Sequence, residues 1–303
     1  MQLQRGDVAV VTGAASGIGF ALADRFASAG LHVVAADVQP EPLDEAVAKL
    51  AERGTDVLGV PTDVSREDQV QALAAATLER FGGVHVVCNN AGVASFGDPW
   101  IGPLSQWDWV IGVNLYGVVH GVRAFLPHLV LGGRGHIVNT ASMAGLVPGL
   151  SPIYDATKHA VVALTEDLFH GLRDTGMPIG VSVLCPGWVR TNIKDSERNW
   201  PTDLGPPPER ALTSEVVRPH FDRAIDEGMT PAAVAELVAH GIETDRFWLL
   251  PHPDWMPMAA DRWDRIREGI DPEPLEHIPG MPPRSQIIAE AMAALASQGT
   301  PEE

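Results

Sequence analysis

The chain has 303 residues, 45 % of them hydrophobic, and a net charge of −18. That length buries a large core, as one α/β domain or as two smaller ones. The acidic balance argues against nucleic acid, which needs clustered lysine and arginine, and is read as solubility. Cys88 and Cys185 each close an apolar run and read as buried reduced thiols, not a disulfide. The 11 histidines form no His-Glu-x-x-His or Cys-x-x-Cys arrangement, so no metal is expected. No run of about 18 consecutive apolar residues marks a membrane span. Residues 1–7 lead straight into a strand, without the apolar core of a signal peptide. The expected compartment is the cytoplasm, with no membrane partner.

In chain order, residues 8–12 predict a buried strand, followed by a glycine-rich turn and a helix to about residue 30. Residues 32–37 predict a second strand and 42–53 a second helix. Strands at 56–60 and 84–88 continue the alternation, with a helix at 66–81 between them. A long helix at 104–130 leads to a strand at 136–140, a helix at 154–173 and a strand at 179–184. Short apolar runs alternating with helical patterns imply right-handed crossovers and a doubly wound parallel sheet of about seven strands, Rossmann-like and covered on both faces. There is no internal repeat.

The character changes after Thr191. Residues 192–229 are polar and proline-rich, a long connection whose position suits a helical lid over a substrate. Thr230 followed by Pro231 reads as a helix start, and 246–250 as the last strand. The catalytic domain is therefore expected over residues 1–251. Residues 252–303, proline-rich and carrying Trp255 and Trp263, read as an extension packed on the domain or on a neighbouring subunit.

The turn at 12–19 has the spacing Gly-x-x-x-Gly-x-Gly, a departure from the general Gly-x-Gly-x-x-Gly fingerprint. Gly13 permits the tight turn, while Gly17 and Gly19 let backbone approach a pyrophosphate at the helix N-terminus. Asp37 ends the second strand, where a carboxylate accepts hydrogen bonds from an adenosine ribose and repels a 2′-phosphate. Ser16 and Val38 supply no positive charge to offset that repulsion, so NAD is expected as the cofactor. Tyr154 and Lys158 stand one helical turn apart and share a helix face. A free phenol has a pKa of about 10. A neighbouring ammonium favours phenolate and draws it toward the working range.

Together these residues resemble the short-chain dehydrogenase/reductase family in its compact, single-domain form. The resemblance covers roughly residues 5–251 and rests on an ordered set: the turn at 12–19, Asp63-Val64, Asn89 to Gly92, Asn114, Ser142, Tyr154 with Lys158, and Pro186-Gly187 followed by Thr191. It implies that Tyr154 exchanges a proton with the substrate oxygen while hydride moves to or from a nicotinamide. Lys158 would hold the nicotinamide ribose, Tyr154 would contact the cofactor beside it, and Ser142 would hydrogen-bond the substrate oxygen. Ser142 is not surrounded by a Gly-x-Ser-x-Gly nucleophile elbow. Asn114 would interrupt its long helix and hold a proton-relaying water. Ser16 and Ile18 belong to the phosphate turn, Asp63 and Val64 flank the adenine, and Asn90, Ala91 and Gly92 border its ribose. Pro186, Gly187, Val189 and Thr191 surround the nicotinamide.

Substrate contacts are expected from three places: 93–96, 144–150 and Trp188 with the lid. Met143, Leu146, Val147, Leu150 and Trp188 are apolar, Ala144 lies among them and Phe96 adds an aromatic ring, which leads to a hydrophobic secondary alcohol or ketone; no arginine placed to clamp a carboxylate is expected. A weaker resemblance, through residues 107–118, 191–193 and the long tail, is to bacterial Cα-dehydrogenases of lignin-derived aryl ethers. The family also implies a homotetramer or homodimer through the two long helices. The alternatives are an NADPH-dependent ketoreductase, a cofactor-sensing regulator, which would be expected to have lost Tyr154 or Lys158, and an epimerase or dehydratase with a different glycine spacing.

Overall fold

A computed structural model describes residues 1–149 and 151–298. Seven parallel strands make one sheet: β1 (Val8–Thr12), β2 (His32–Asp37), β3 (Val57–Pro61), β4 (Val86–Asn89), β5 (Gly135–Thr140), β6 (Ile179–Leu184) and β7 (Trp248–Leu249). Their order is β3-β2-β1-β4-β5-β6-β7. Val10 is paired with Val34 on one side and Val87 on the other. The chain turns back across β1 after β3, so a crevice opens beyond the C-terminal ends of β1 and β4, the usual ligand position in such sheets.

Strand periodicity builds two cores from one sheet. Ala9 and Val11 face α1 (Gly17–Ser28) and α8 (Pro231–Glu243), packing with Leu22, Phe26, Val234 and Val238. Val8 and Val10 face the opposite layer, with Leu73 of α3 (Glu67–Phe81), Phe125 and Leu129 of α5 (Gly117–Gly132), and Leu172 of α6 (Pro152–Asp174). Local chemistry sets several ends. Thr230 Oγ1 accepts from Ala233 N at 3.2 Å with Pro231 at the first helical position, as the sequence predicts. Gly82 and Gly133 close α3 and α5 in the left-handed conformation.

The second helix, α2, spans Pro40–Ala51. The expected long helix at 104–130 is three pieces: α4 (Ser105–Ile111), a π-turn (Gly112–Tyr116) and α5. Asn114 sits in the π-turn, the interruption expected there. By length and composition Ser105–Gly132 could cross a membrane; here it packs Ala124, Phe125 and Leu129 into the sheet. The last strand is shorter than its expected range, two residues in all.

The lid combines 3-10 turns at Asn192–Asn199 and Thr202–Leu204 with α7 (Leu212–Asp226), which accommodates Pro219. The tail is largely helical, with α9 (Met256–Glu268) and α10 (Arg284–Gln298). It returns over its own lid: α10 packs on α7, His220 Nε2 lies 2.8 Å from Glu290 Oε2, and Trp188 Nε1 donates to the Pro279 carbonyl at 2.6 Å.

Candidate active site

A cavity of about 700 Å³ runs from the glycine turn to the lid. Its first half is built on backbone geometry. Gly13 and Gly17 take φ of +67° and +56°, left-handed values that favour glycine. Gly13, Ser16, Gly17 and Ile18 line the cavity. Gly19 does not: a Cβ there would stand 2.0 Å from the Gly13 carbonyl oxygen. Its missing side chain lets α1 pack against the turn, a steric role where the sequence suggested approach to phosphate. Asp37 accepts from Ala15 N through Oδ2 at 3.0 Å and from Gln39 N through Oδ1 at 3.1 Å. It therefore faces the cavity in a fixed orientation, with lone pairs to spare.

Thr12 straps the sheet at the crevice, its hydroxyl accepting from Asn90 N at 2.9 Å and Ala91 N at 3.1 Å. Asn90 Nδ2 returns a bond to the Thr12 carbonyl at 3.0 Å. Asp63, Val64, Asn90, Ala91 and Gly92 all line the cavity. The Asp63 carboxylate also binds Ser65 N and Oγ at 2.9 and 2.7 Å, so it shapes its own turn.

The second half gathers Ser142, Tyr154 and Lys158 on one wall. Ser142 follows β5 and caps a short 3-10 turn. Its Oγ accepts from Ala144 N at 3.1 Å and donates to the Pro186 carbonyl at 3.3 Å. Lys158 is 2 % exposed, and its Nζ donates to the Thr140 carbonyl at 2.8 Å. The ammonium stands 5.4 Å from the centre of the Tyr154 ring. Burial holds Lys158 down at about 8. Burial also pushes the Tyr154 phenol up to about 12, with a hydrogen bond to Ser142 acting the other way. Desolvation is the largest of these effects, so at neutral pH the hydroxyl stands as a proton donor.

Asn114 is fully buried and does not line the cavity. Its Oδ1 accepts from Val93 N and its Nδ2 donates to the Val93 carbonyl, both at 2.9 Å, with Thr157 Oγ1 at 3.3 Å. The side chain is thus committed to holding the 92–93 segment, and a relaying water would have to use its backbone carbonyl.

Pro186, Gly187, Val189 and Thr191 line the same half, as do Phe96, Ala144 and Trp188. Leu150 lies outside the described residues. His252 fixes the wall: Gly187 N donates to its Nδ1 at 3.0 Å, so the ring proton is on Nε2, 3.0 Å from the Trp188 carbonyl. Burial keeps this imidazole below its ordinary pKa. Trp188 packs edge-on against Phe221 and Trp255, at 5.3 and 5.5 Å between ring centres. Val217, Ile225 and Met281 complete an apolar roof that no local motif marks in the sequence.

Two arginines also escaped sequence reasoning. Arg218 of α7 enters the wall over Phe96, at 5.7 Å from the ring centre. Asp195 at 3.0 Å and Asp222 at 3.3 Å compensate its charge, so it is not a free carboxylate clamp. Arg198 lines the cavity from the lid. The Asp222 contact is a helical i,i+4 pair legible in principle; the others join distant segments and leave no local pattern.

The short chain dehydrogenase family profile matches residues 7–202. A short-chain dehydrogenase/reductase from Burkholderia phymatum, solved in complex with NAD, is 43% identical with a TM-score of 0.89, covering 92% of this chain and 100% of that one. A 1-deoxy-11-beta-hydroxypentalenate dehydrogenase of Streptomyces exfoliatus is 38% identical, over 89% of this chain and 93% of its own length. A C alpha-dehydrogenase of Sphingobium sp. strain SYK-6 is 34% identical, over 87% and 83%. Other similar solved structures hold NADP or a derivative of it. With the sheet order, the cavity and these likenesses together, the chain belongs to the short-chain dehydrogenase/reductase family, a family of oxidoreductases.

Proposed function

We propose that this protein is a cytoplasmic, NAD-dependent dehydrogenase that interconverts a hydrophobic secondary alcohol and its ketone. The observation that carries this reading is the convergence of Ser142, Tyr154 and Lys158 on one cavity wall, with Asp37 at the far end and an apolar roof above. The lining fits an extended dinucleotide. The turn of Gly13, Ser16, Gly17 and Ile18 offers backbone to a pyrophosphate, and Asp37 offers a carboxylate to the adenosine ribose. Asp63 and Val64 would flank the adenine, Asn90, Ala91 and Gly92 its ribose, and Pro186, Gly187, Val189 and Thr191 the nicotinamide. When bound, the cofactor supplies the hydride acceptor for an alcohol or, reduced, the donor for a ketone.

The remaining work falls to side chains. Tyr154 gives its proton to the ketone oxygen or takes one from the alcohol; as a neutral phenol it is already in the donor form near pH 7. Ser142, its Oγ held by the Ala144 N–H, turns its one O–H from the Pro186 carbonyl to the same oxygen as charge develops. Lys158 spends one N–H on Thr140 and has others for the nicotinamide ribose. Its charge beside the phenol favours phenolate when the reaction runs toward the ketone. Phe96, Ala144 and Trp188 shape the substrate end. NAD is preferred over NADP because the Asp37 carboxylate repels a 2′-phosphate.

In this reading residues 1–251 form the catalytic domain and 252–303 roof their own cavity. Homotetramer or homodimer assembly through α4, α5 and α6 would cover Leu104 and Tyr116, which are exposed; a monomer by light scattering at micromolar concentration refutes it. The reaction is tested by screening aryl, terpenoid and steroid secondary alcohols and ketones with NAD(H) and NADP(H), following the near-ultraviolet absorbance of the reduced nicotinamide. Turnover faster with NAD(H) supports the proposal. Binding of NADH without turnover of any such compound counts against the substrate class.

A further inference from the structure

Three basic side chains line the cavity among the described residues: Lys158, Arg198 and Arg218. Two have evident employment. Lys158 stands at the inner end beside Tyr154, and Arg218 is held by two carboxylates, Asp195 and Asp222. Arg198 is different. Its hydrogen bonds all end on neutral oxygens: Nε on Gln39 Oε1 at 3.1 Å, and Nη1 on the carbonyls of Asn192 and Asp195, each at 2.8 Å. These bonds aim the guanidinium without neutralising it.

The anchor shows which half of the cavity Arg198 serves. Gln39 donates its own backbone N–H to Asp37 Oδ1 at 3.1 Å, and Asp37 Oδ2 accepts from Ala15 in the glycine turn at 3.0 Å. A continuous chain of hydrogen bonds therefore runs from the glycine turn through Asp37 and Gln39 to a lid arginine. The bonds that hold Arg198 leave Nη2 without a partner among the described residues. A planar guanidinium with donors to spare is suited to phosphate oxygens. In a chain of net charge −18, such a cation is also where an anionic ligand gains most from a local charge.

We propose that Arg198 is a phosphate-binding residue for the dinucleotide, reaching across from the lid to the edge of the cavity that holds Asp37. This rests on the dinucleotide reading given above. The contact makes the lid part of the cofactor site. Its neighbours Lys194 and Asp195 are paired with Asp226 and Arg218 of α7, at 2.6 and 3.0 Å. A phosphate held by Arg198 thereby steadies the helix that roofs the substrate.

The test is a calorimetric titration of the full-length protein with NADH and with NADPH, at low and at high salt. The variants are Arg198→Met, Arg198→Lys and, as a control for net charge, Arg267→Met on the exposed face of α9. Arg198→Met is expected to weaken binding about tenfold at low salt, with most of the affinity kept in Arg198→Lys. The salt dependence should shrink in Arg198→Met and stay unchanged in Arg267→Met. Equal loss for the two dinucleotides supports contact with the pyrophosphate. Loss confined to NADPH supports contact with the 2′-phosphate. Unchanged affinity for both, with an unchanged salt response, overturns the assignment. Failure of the unaltered protein to bind either dinucleotide overturns the cofactor reading itself, and this assignment with it. Because Arg198 is exposed, thermal unfolding of the variants should match that of the unaltered protein.

Discussion

The two ends of the cavity are made in different ways. The glycine-turn end is backbone architecture: left-handed glycines, a carboxylate pinned by two N–H groups, and a threonine hydroxyl strapping adjacent strand ends. The roof is side-chain architecture, in which Trp188, Phe221, Trp255 and Met281 arrive from separate segments of the chain. The first kind of site tolerates almost no substitution, because a backbone path has few alternatives. The second can be rebuilt by changing side chains without moving the backbone.

That contrast can be broken at either end. Gly19→Ala has the largest expected effect. Its Cβ would meet the Gly13 carbonyl oxygen at 2.0 Å and Asn90 Nδ2 at 2.7 Å, so the turn must move. A stability loss of about 3 kcal/mol in chemical denaturation is expected, together with loss of NADH binding. Normal binding and stability would contradict the packing role given to this residue. Trp188→Ala should cost about 2–3 kcal/mol and raise KM for bulky apolar substrates, with NADH affinity changed less than twofold. An equal loss of cofactor affinity would mean that the two ends are not separable.

Asp37→Ala sharpens the comparison from the other side. It should weaken NADH about tenfold and leave KM for the alcohol nearly unaltered, with NADPH affected less or improved. An unchanged NADH-to-NADPH ratio would remove Asp37 from the ribose. The smallest effect at neutral pH is expected at His136, inside the sheet and remote from both ends. Its Nε2 lies 2.7 Å from Ser182 Oγ, and burial depresses its pKa to about 3. Its unfolded value is about 6.5, so the unfolded chain binds a proton first as pH falls. This stabilisation is therefore present above about pH 6.5 and is lost progressively toward pH 3. His136→Gln should flatten that stretch of the stability profile; an unaltered slope would mean that other groups govern acid unfolding.

The legible part of the molecule is the part where function follows from local chain geometry. Strand ends, left-handed glycines and a tyrosine one helical turn from a lysine are patterns of neighbouring residues, so Gly13, Asp37, Ser142, Tyr154 and Lys158 could be found by spacing and by family resemblance. What spacing does not carry is packing and depth. At Gly19 the need for glycine is legible and the packing partner behind it, the Gly13 carbonyl, is not. The side chain of Asn114 is taken up by Val93 and Thr157, which leaves its backbone carbonyl for the expected water. The depth of the site, which pushes the phenol up, is likewise invisible in a spacing. Arg198 and Arg218 carry no local signature of their place in the cavity: Gln39 and Asp195, which tie them to it, lie 159 and 23 residues away.

The central claim is that Tyr154 moves the proton, its contact with the cofactor adding little to affinity. It is tested most directly with Tyr154→Phe, measuring turnover of the best substrate and NADH affinity on one preparation. The account predicts turnover reduced by about a thousandfold or more, with NADH affinity within about twofold of the unaltered protein. Turnover retained in the variant would contradict it.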